Sequence, residues 1–281
     1  MKSVISASRR TDLVAFFPDW LAECLERKEA RIVGPSGRDE RIDLSPESVH
    51  TFVLWSKDFS NLLGNRAGLR RLLETYDQLY FHFTVTGLGG TEIETGAPLF
   101  DEALAQLPAL VDLAGNPLRV SLRFDPILFW RDGEKVGTNA CFFSKVVSAA
   151  ANAGIRDIRT SFAQWYRKAR TRAARRDFRF IDPPQDKKMV WAGRLARDAS
   201  ERGLKLYACS QDFLSNVEGI EPSACIDGRL LSALHPRCES VCLRRDRSQR
   251  AECLCTVSKD IGSYTQACPH GCVYCYANPI V

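Results

Sequence analysis

The chain has 281 residues, 45% of them apolar, with 39 basic against 34 acidic side chains and a net charge of +5. That apolar content supports one large core, and no apolar run reaches the roughly 18 residues a membrane span needs. Arginines at positions 9 and 10 come too early for a secretory leader, so a cytoplasmic location and no membrane partner are expected.

Short apolar or β-branched runs predict six strands, at 3–8 (SVISAS), 51–55 (TFVLW), 79–86 (LYFHFTVT), 118–124 (LRVSLRF), 155–160 and 204–209. Helical patterns lie between them at 12–28, 62–76, 100–113, 140–153 and 187–202. Gly154 and Gly203 stand just before strands, where a helix closes on a left-handed residue. Alternating strands and helices predict an α/β fold: a partial or permuted (β/α) barrel of about six parallel strands. The body is expected over 1–212. Residues 213–281 have few long apolar runs and many cysteines, and are expected to be a metal-organised segment packed on the barrel mouth.

In such folds the loops after the strands build the active site. Those loops carry Arg10, Lys57, Thr86, Arg123 and Asp125, with Arg159, Ser161 and Gln211 at later strand ends. Any one of these is explained by strand-ending turn chemistry. Arginines among strand-interior apolars, however, need anionic partners when buried. Arg10, Lys57, Arg123 and Asp125 are therefore the candidate catalytic set, and Arg10 and Thr86 the candidate contacts to a cofactor or an anionic substrate. His82, between Phe81 and Phe83, is read as a satisfied core histidine. The run at 167–179 (RKARTRAARRDFR) packs seven cations around one acid. A phosphate-binding surface accounts for it, and so does a solvated helix face, the commoner origin of such runs.

Eleven cysteines in an unsecreted chain point to metal or redox chemistry, because cytosolic thiols are kept reduced. Cys24 and Cys141 stand alone in helical stretches; the others fall between 209 and 275. The closest set, Cys268, Cys272 and Cys275 in CPHGCVYC, places three thiolates on one short loop. Three thiolates hold three irons of a [4Fe–4S] cubane and leave the fourth open, where such clusters ordinarily take four cysteines. His270, inside the loop, is read as a turn residue or a hydrogen-bond donor to the site rather than as a ligand.

The Cys-x-x-x-Cys-x-x-Cys spacing with an aromatic before its last cysteine resembles the cluster loop of the radical S-adenosylmethionine superfamily. That resemblance implies that Cys268, Cys272 and Cys275 ligate a [4Fe–4S] cluster, that S-adenosylmethionine binds the open iron with Tyr274 beside its adenine, and that the reaction is radical chemistry. It also implies a one-electron reductant such as flavodoxin or ferredoxin. The string further resembles the loops of spore photoproduct lyase relatives, which act on DNA, making nucleic acid a candidate substrate. In ordinary members of the superfamily the loop follows the first strand; here it stands at 268–275, which requires a permuted or rewired barrel.

A wider resemblance runs through SASRRTD (6–12), WSK (55–57), TVTG (84–87), RFDP (123–126), CID (225–227), QR (249–250) and DIG (260–262). Through these the chain is similar to the bacterial family catalogued as domain of unknown function family 1848, itself likened to radical S-adenosylmethionine proteins by its C-terminal cysteines. Cys209, Cys225, Cys253 and Cys255 resemble positions recurring in that family and imply an auxiliary four-cysteine cluster; structural zinc uses the same donors. Cys238 and Cys242 are then spare. The competing function is a non-enzymatic nucleic-acid-binding or interaction protein with structural iron–sulfur or zinc.

Overall fold

A computed structural model describes residues 1–33 and 39–280. Its strands are β1 (Ser3–Ala7), β2 (Glu29–Val33), β3 (Asp39–Asp43), β4 (Val49–Ser56), β5 (Leu79–Thr84), β6 (Val120–Ile127), β7 (Phe129–Asp132), β8 (Lys135–Thr138), β9 (Asp157–Phe162), β10 (Phe180–Ile181), β11 (Lys205–Cys209), β12 (Ile220–Ser223) and β13 (Lys259–Asp260). All six predicted strands are present, as β1, β4, β5, β6, β9 and β11.

They belong to one eight-stranded sheet, ordered β12-β11-β9-β6-β5-β4-β1-β13, in which every pairing is parallel. From β1 to β12 each strand of this sheet lies beside its predecessor, the order of a barrel wall. β12 and β13 are the two ends of the sheet, so among the described residues the wall is not closed. The expected count of about six rises to eight because the C-terminal segment supplies β12 and β13. β13 runs along β1, with Ile5 opposite Lys259 and Ser6 opposite Asp260, and so returns the end of the chain to the first strand.

Alternation along the strands sends one set of side chains to each face. Ile5, Phe52, Leu54, Phe81, Phe83, Leu122, Phe124, Ile158 and Leu206 pack beneath the helices in the main core. The other face is far more polar: Ser6, Trp55, His82, Ser121, Arg123, Arg159 and Cys209 point there, and Val4, Val53 and Tyr80 pack against Ile226, Leu231 and Val241 of the C-terminal segment.

Four predicted helices are broken by local chemistry. The 12–28 helix divides into Leu13–Phe16 and Pro18–Glu26, because Pro18 lacks the amide that would continue the first. The 62–76 stretch is interrupted where Asn65 and Gly68 adopt left-handed backbone, φ 54° and 70°. The 100–113 helix restarts at Leu107 with Pro108 in its first turn. That at 140–153 opens as a 3-10 turn, Asn139–Phe142, before Phe143–Asn152. Two small sheets, β2-β3 and β10-β7-β8, fall where no strands are expected; the exposed, charged alternation of β2 and β3 (EARIV, DERID) lacks the apolar runs that mark the large sheet. No described helix is long and apolar enough to cross a membrane.

Candidate functional site

The carboxyl ends of β1 and β4 form a knot around Asp12. This buried carboxylate accepts from Ser56 Oγ at 2.8 Å, from the Lys57 amide at 3.0 Å and from the Ala15 amide at 3.0 Å, so it caps a helix while tying β1 to β4. Its fourth partner is His270 Nε2 at 2.7 Å, and His270 Nδ1 lies 3.1 Å from Gly96 O. Both ring nitrogens face oxygen acceptors, so the ring donates to one, or to both when doubly protonated. His270 thereby pins the cysteine loop to the sheet.

A second knot surrounds Glu94, 1% exposed, in the loop after β5. It accepts from Lys57 Nζ at 3.0 Å, from Thr86 Oγ1 at 2.7 Å and from the Tyr274 hydroxyl. Burial alone would raise Glu94, yet Lys57 and the two hydroxyls hold it below the usual carboxylate range. Burial would likewise lower Lys57, but Glu94 and nearby Cys272 keep it above the ordinary lysine value. The same loop grips the cysteines through its backbone: Val273 N donates to Ile93 O at 3.1 Å and Gly96 N to His270 O at 3.1 Å. A side chain at Gly96 would come 2.1 Å from Pro269 O, so only glycine admits this approach. Beside these groups lies a narrow cleft lined by Lys57, Thr86, Gly89, Glu94 and Phe100, among others, with free space for about one water molecule.

Cys272 is buried and Cys268 and Cys275 half-buried. Burial pushes the Cys268 thiol up to about 12 and Cys272 well above the usual thiol range, with Lys57 opposing the rise. Arg172 lies near Cys272 and Cys275 and donates from Nε to Val273 O at 3.3 Å. The loop closes on itself where Ile280 N donates to Cys268 O at 2.8 Å and Cys268 N to Asn278 O at 3.1 Å. Three thiols thus stand on one short loop, with Lys57 and Arg172 beside them.

Of the other predicted quartet, Cys209 Sγ and Cys225 Sγ are 3.3 Å apart, Arg123 Nη1 donates to Cys225 Sγ at 2.9 Å, and Cys255 Sγ accepts from the Ile226 amide at 3.3 Å, with Cys253 nearby. Cys238 and Cys242 lie elsewhere: Cys238 is exposed, and Cys242 Sγ accepts from Arg244 Nε at 3.5 Å. Among the described residues no group of three or more His, Cys, Asp or Glu side chains is disposed to hold a single metal ion as it stands. The 3.3 Å sulfur contact is shorter than the separation of about 3.8 Å that two thiolates on one tetrahedral zinc take from 2.3 Å bonds.

The four predicted catalytic residues divide between these places. Lys57 sits at the cysteine loop, its Nζ 5.9 Å from the Tyr274 ring centre. Arg10 serves the returning strand: Nη1 donates to Gly262 O at 2.9 Å, and Nε lies 3.9 Å from Asp260. Arg123 and Asp125 pair with one another beside the second thiol group. Tyr274 and Thr86 meet on Glu94 rather than standing free. Arg159 is buried on Asp157 and Ser121; His82 Nε2 donates to Cys225 O at 2.6 Å and the ring stacks on Trp55. Glu94 and Asp12 are the groups the sequence reading does not single out. Asp12 stands inside the SASRRTD string, whereas Glu94 lies in a glycine-rich loop with no residue pattern to mark it.

A family described as "Domain of unknown function (DUF1848)" matches residues 4–277. No curated protein matches the sequence. Among solved structures, a D-hydantoinase is similar at 12% identity and a TM-score of 0.35, over 78% of this chain and 45% of that one. The D-hydantoinase of Bacillus sp. AR9 is similar at 13% identity and a TM-score of 0.35, over 62% of this chain and 39% of that one. The chain thus spans less than half the length of these proteins, and likeness of this degree carries no argument about function.

Proposed function

Starting from the chain's membership of the family Domain of unknown function (DUF1848), we propose that it is an iron–sulfur enzyme of the radical S-adenosylmethionine type. The observation that carries the reading is the seat of the cysteine loop. Cys268, Cys272 and Cys275 lie at the carboxyl-end rim of the parallel sheet, locked there by His270 on Asp12 and by Tyr274 on Glu94. That rim is where β/α folds gather their chemistry.

Such a cluster, held by Cys268, Cys272 and Cys275, would supply the electron that splits S-adenosylmethionine into methionine and a 5′-deoxyadenosyl radical. The chain's own residues hold and screen the site. Arg172 places positive charge beside the three cysteines, the Lys57–Glu94 pair orients Tyr274, and the narrow cleft lined by Lys57, Thr86 and Glu94 marks where the polar groups of a cofactor would approach. The exposed cations of the helix Arg167–Arg175, whose buried side is Ala169 and Ala173, flank the loop through Arg172 and through Lys168 Nζ, 3.1 Å from Asn278 Oδ1. They favour an anionic substrate, nucleic acid included. A flavodoxin- or ferredoxin-like donor is the implied reductant.

The test is product analysis. Anaerobic protein, given dithionite and S-adenosylmethionine, is expected to release 5′-deoxyadenosine, and the triple variant Cys268→Ala, Cys272→Ala, Cys275→Ala none. Equal yields from both would sink the proposal. The same basic helix supports a second reading, a polyanion-binding protein with structural metal. That reading predicts salt-dependent binding of oligonucleotides by a protein that never consumes the cofactor.

A further inference from the structure

At the amino end of the large sheet, away from the cysteine loop, the C-terminal segment folds back as a plug. The helix Gly228–Ala233 and the stretch that follows it place Leu231 and Val241 over Val4, Val53 and Tyr80 of β1, β4 and β5. Polar bonds to residues at the starts of four strands fasten it. Gln78 Nε2 donates to Leu231 O at 2.9 Å, Arg119 Nη2 to Leu234 O at 2.7 Å and His50 Nε2 to Glu239 O at 3.0 Å, while Lys2 Nζ reaches Glu239 at 2.9 Å.

Two buried imidazoles meet inside this contact. His50 and His235, 1% and 3% exposed, stack with ring centres 4.2 Å apart, and their hydrogen bonds set their protons. The Arg237 amide donates to His235 Nδ1 at 3.3 Å, so Nδ1 is an acceptor. The proton of the neutral ring therefore sits on Nε2, which is buried and has no partner among the described residues. His50 differs: its Nδ1 faces the Thr51 hydroxyl at 2.8 Å, which rotates to accept as readily as to donate. A proton added to His235 must instead point at an N–H group and displace the Arg237 bond, and the charge it brings is shut away from water. Among the described residues no facing carboxylate is free to balance that charge. Asp77 is paired with Lys2 at 3.3 Å and with Arg237 at 2.8 Å, and Glu239 with Lys2. Arg119, a further cation of this contact, binds only the peptide carbonyls of Ala114 and Leu234. Burial and His50 together hold His235 below the ordinary histidine range, against the pull of Glu239 and Asp77.

We propose that His235 is a proton-operated latch: in its neutral form it fastens segment 228–241 to the amino end of the sheet, and protonation releases that segment. Because the folded chain takes up this proton less readily than the unfolded one, the latch contributes its full stability above about pH 6.5 and loses it as pH falls below that value. Release bares Tyr80 and Gln78, whose hydroxyl and Oε1 are buried and unpaired while the plug is in place. The latch is independent of whatever the cysteine loop binds.

Hydrogen exchange of the full chain, followed by mass spectrometry and corrected for intrinsic rates, reads the latch directly. The amides of Leu231, Leu234 and Cys238 are bonded to Asp227 O, Leu230 O and His235 O. Between about pH 7.5 and about pH 5.5 they should lose about tenfold in protection, the effect of one histidine titrating over one pH unit below its unfolded value, while amides of β6 and β9 keep theirs. In His235→Phe, which keeps an aromatic ring against His50 but takes no proton, that ratio should fall to within about twofold of unity. Unchanged protection in the wild-type chain, an equal loss throughout the sheet, or a tenfold loss that persists in His235→Phe would overturn the proposal. If His235→Phe does not fold, nuclear magnetic resonance of the isotope-labelled wild-type chain decides. The His235 ring should titrate together with the exchange at 228–241; a ring already protonated at neutral pH, or one that titrates apart from that exchange, would overturn the latch as well.

Discussion

Glu94 stands where the polar network of the site is most exposed to mutation. Its side chain is 1% accessible and its cation partner Lys57 12%, so the pair is largely withdrawn from water. Removing one member of such a pair strands the other and costs about 3–5 kcal/mol. Glu94→Gln is therefore expected to lower unfolding stability by that amount in urea titrations. The double variant Lys57→Met/Glu94→Leu should recover most of the loss, since no buried charge remains. A loss under about 1 kcal/mol in the single variant would contradict the pairing. Lys57 was legible in the sequence because a lysine directly after a strand stands out; Glu94 was not, because its role comes from a fold of the loop that nothing in GLGGTEIETG announces. Arg10 was legible as a charged strand-end residue, but its partner, the Gly262 carbonyl, is 252 positions away, a pairing that local pattern cannot supply.

Strands rather than helices were readable, because both faces of the parallel sheet are buried, one of them beneath the helices and strongly apolar, so each strand reads as a short buried run, whereas helix continuity hangs on single residues such as Pro18 and Asn65. The short β13 was beyond reach: two residues, Lys259 and Asp260, hold it, and its anchor is a carboxylate. Asp260 accepts from Ser8 Oγ at 2.7 Å, Arg9 N at 2.9 Å, Ser6 Oγ at 3.1 Å and Gly262 N at 3.1 Å. Asp260→Ala leaves these donors without their partner and should cost about 2 kcal/mol or more. The loss should be local: hydrogen exchange at the Ile261 amide, bonded to Ser6 O at 3.0 Å, is expected to accelerate while amides of β6 and β9 keep their protection. Uniform acceleration through the sheet would mean that β13 is integral to the whole core. The loop after β5 gives a matching test. Gly96→Ala drives a methyl into Pro269 O, so iron content should fall with far-ultraviolet circular dichroism unchanged; unaltered iron would show that this approach does not position the cysteine loop.

For the whole molecule, the main core is made of residues from Ile5 to Ala208, joined by Leu214, Ile220 and Ile261 from the C-terminal segment. The cysteine loop is attached to the sheet and its helices by a few buried polar bonds and by Val273, which is buried in a small apolar cluster with Leu88, Ile93 and Leu128. The C268A/C272A/C275A variant is accordingly expected to keep its secondary structure and a cooperative melt, and collapse of the fold in that variant would contradict this division. The central claim, that this loop carries a cluster with one open iron at the rim of the parallel sheet, is met most directly by electron paramagnetic resonance of the anaerobic, dithionite-reduced protein with and without S-adenosylmethionine. A reduced [4Fe–4S] signal whose line shape changes when the cofactor is added, and which disappears in the triple variant, is the predicted result. A protein that holds zinc and no iron, or a cluster signal indifferent to the cofactor, would contradict it.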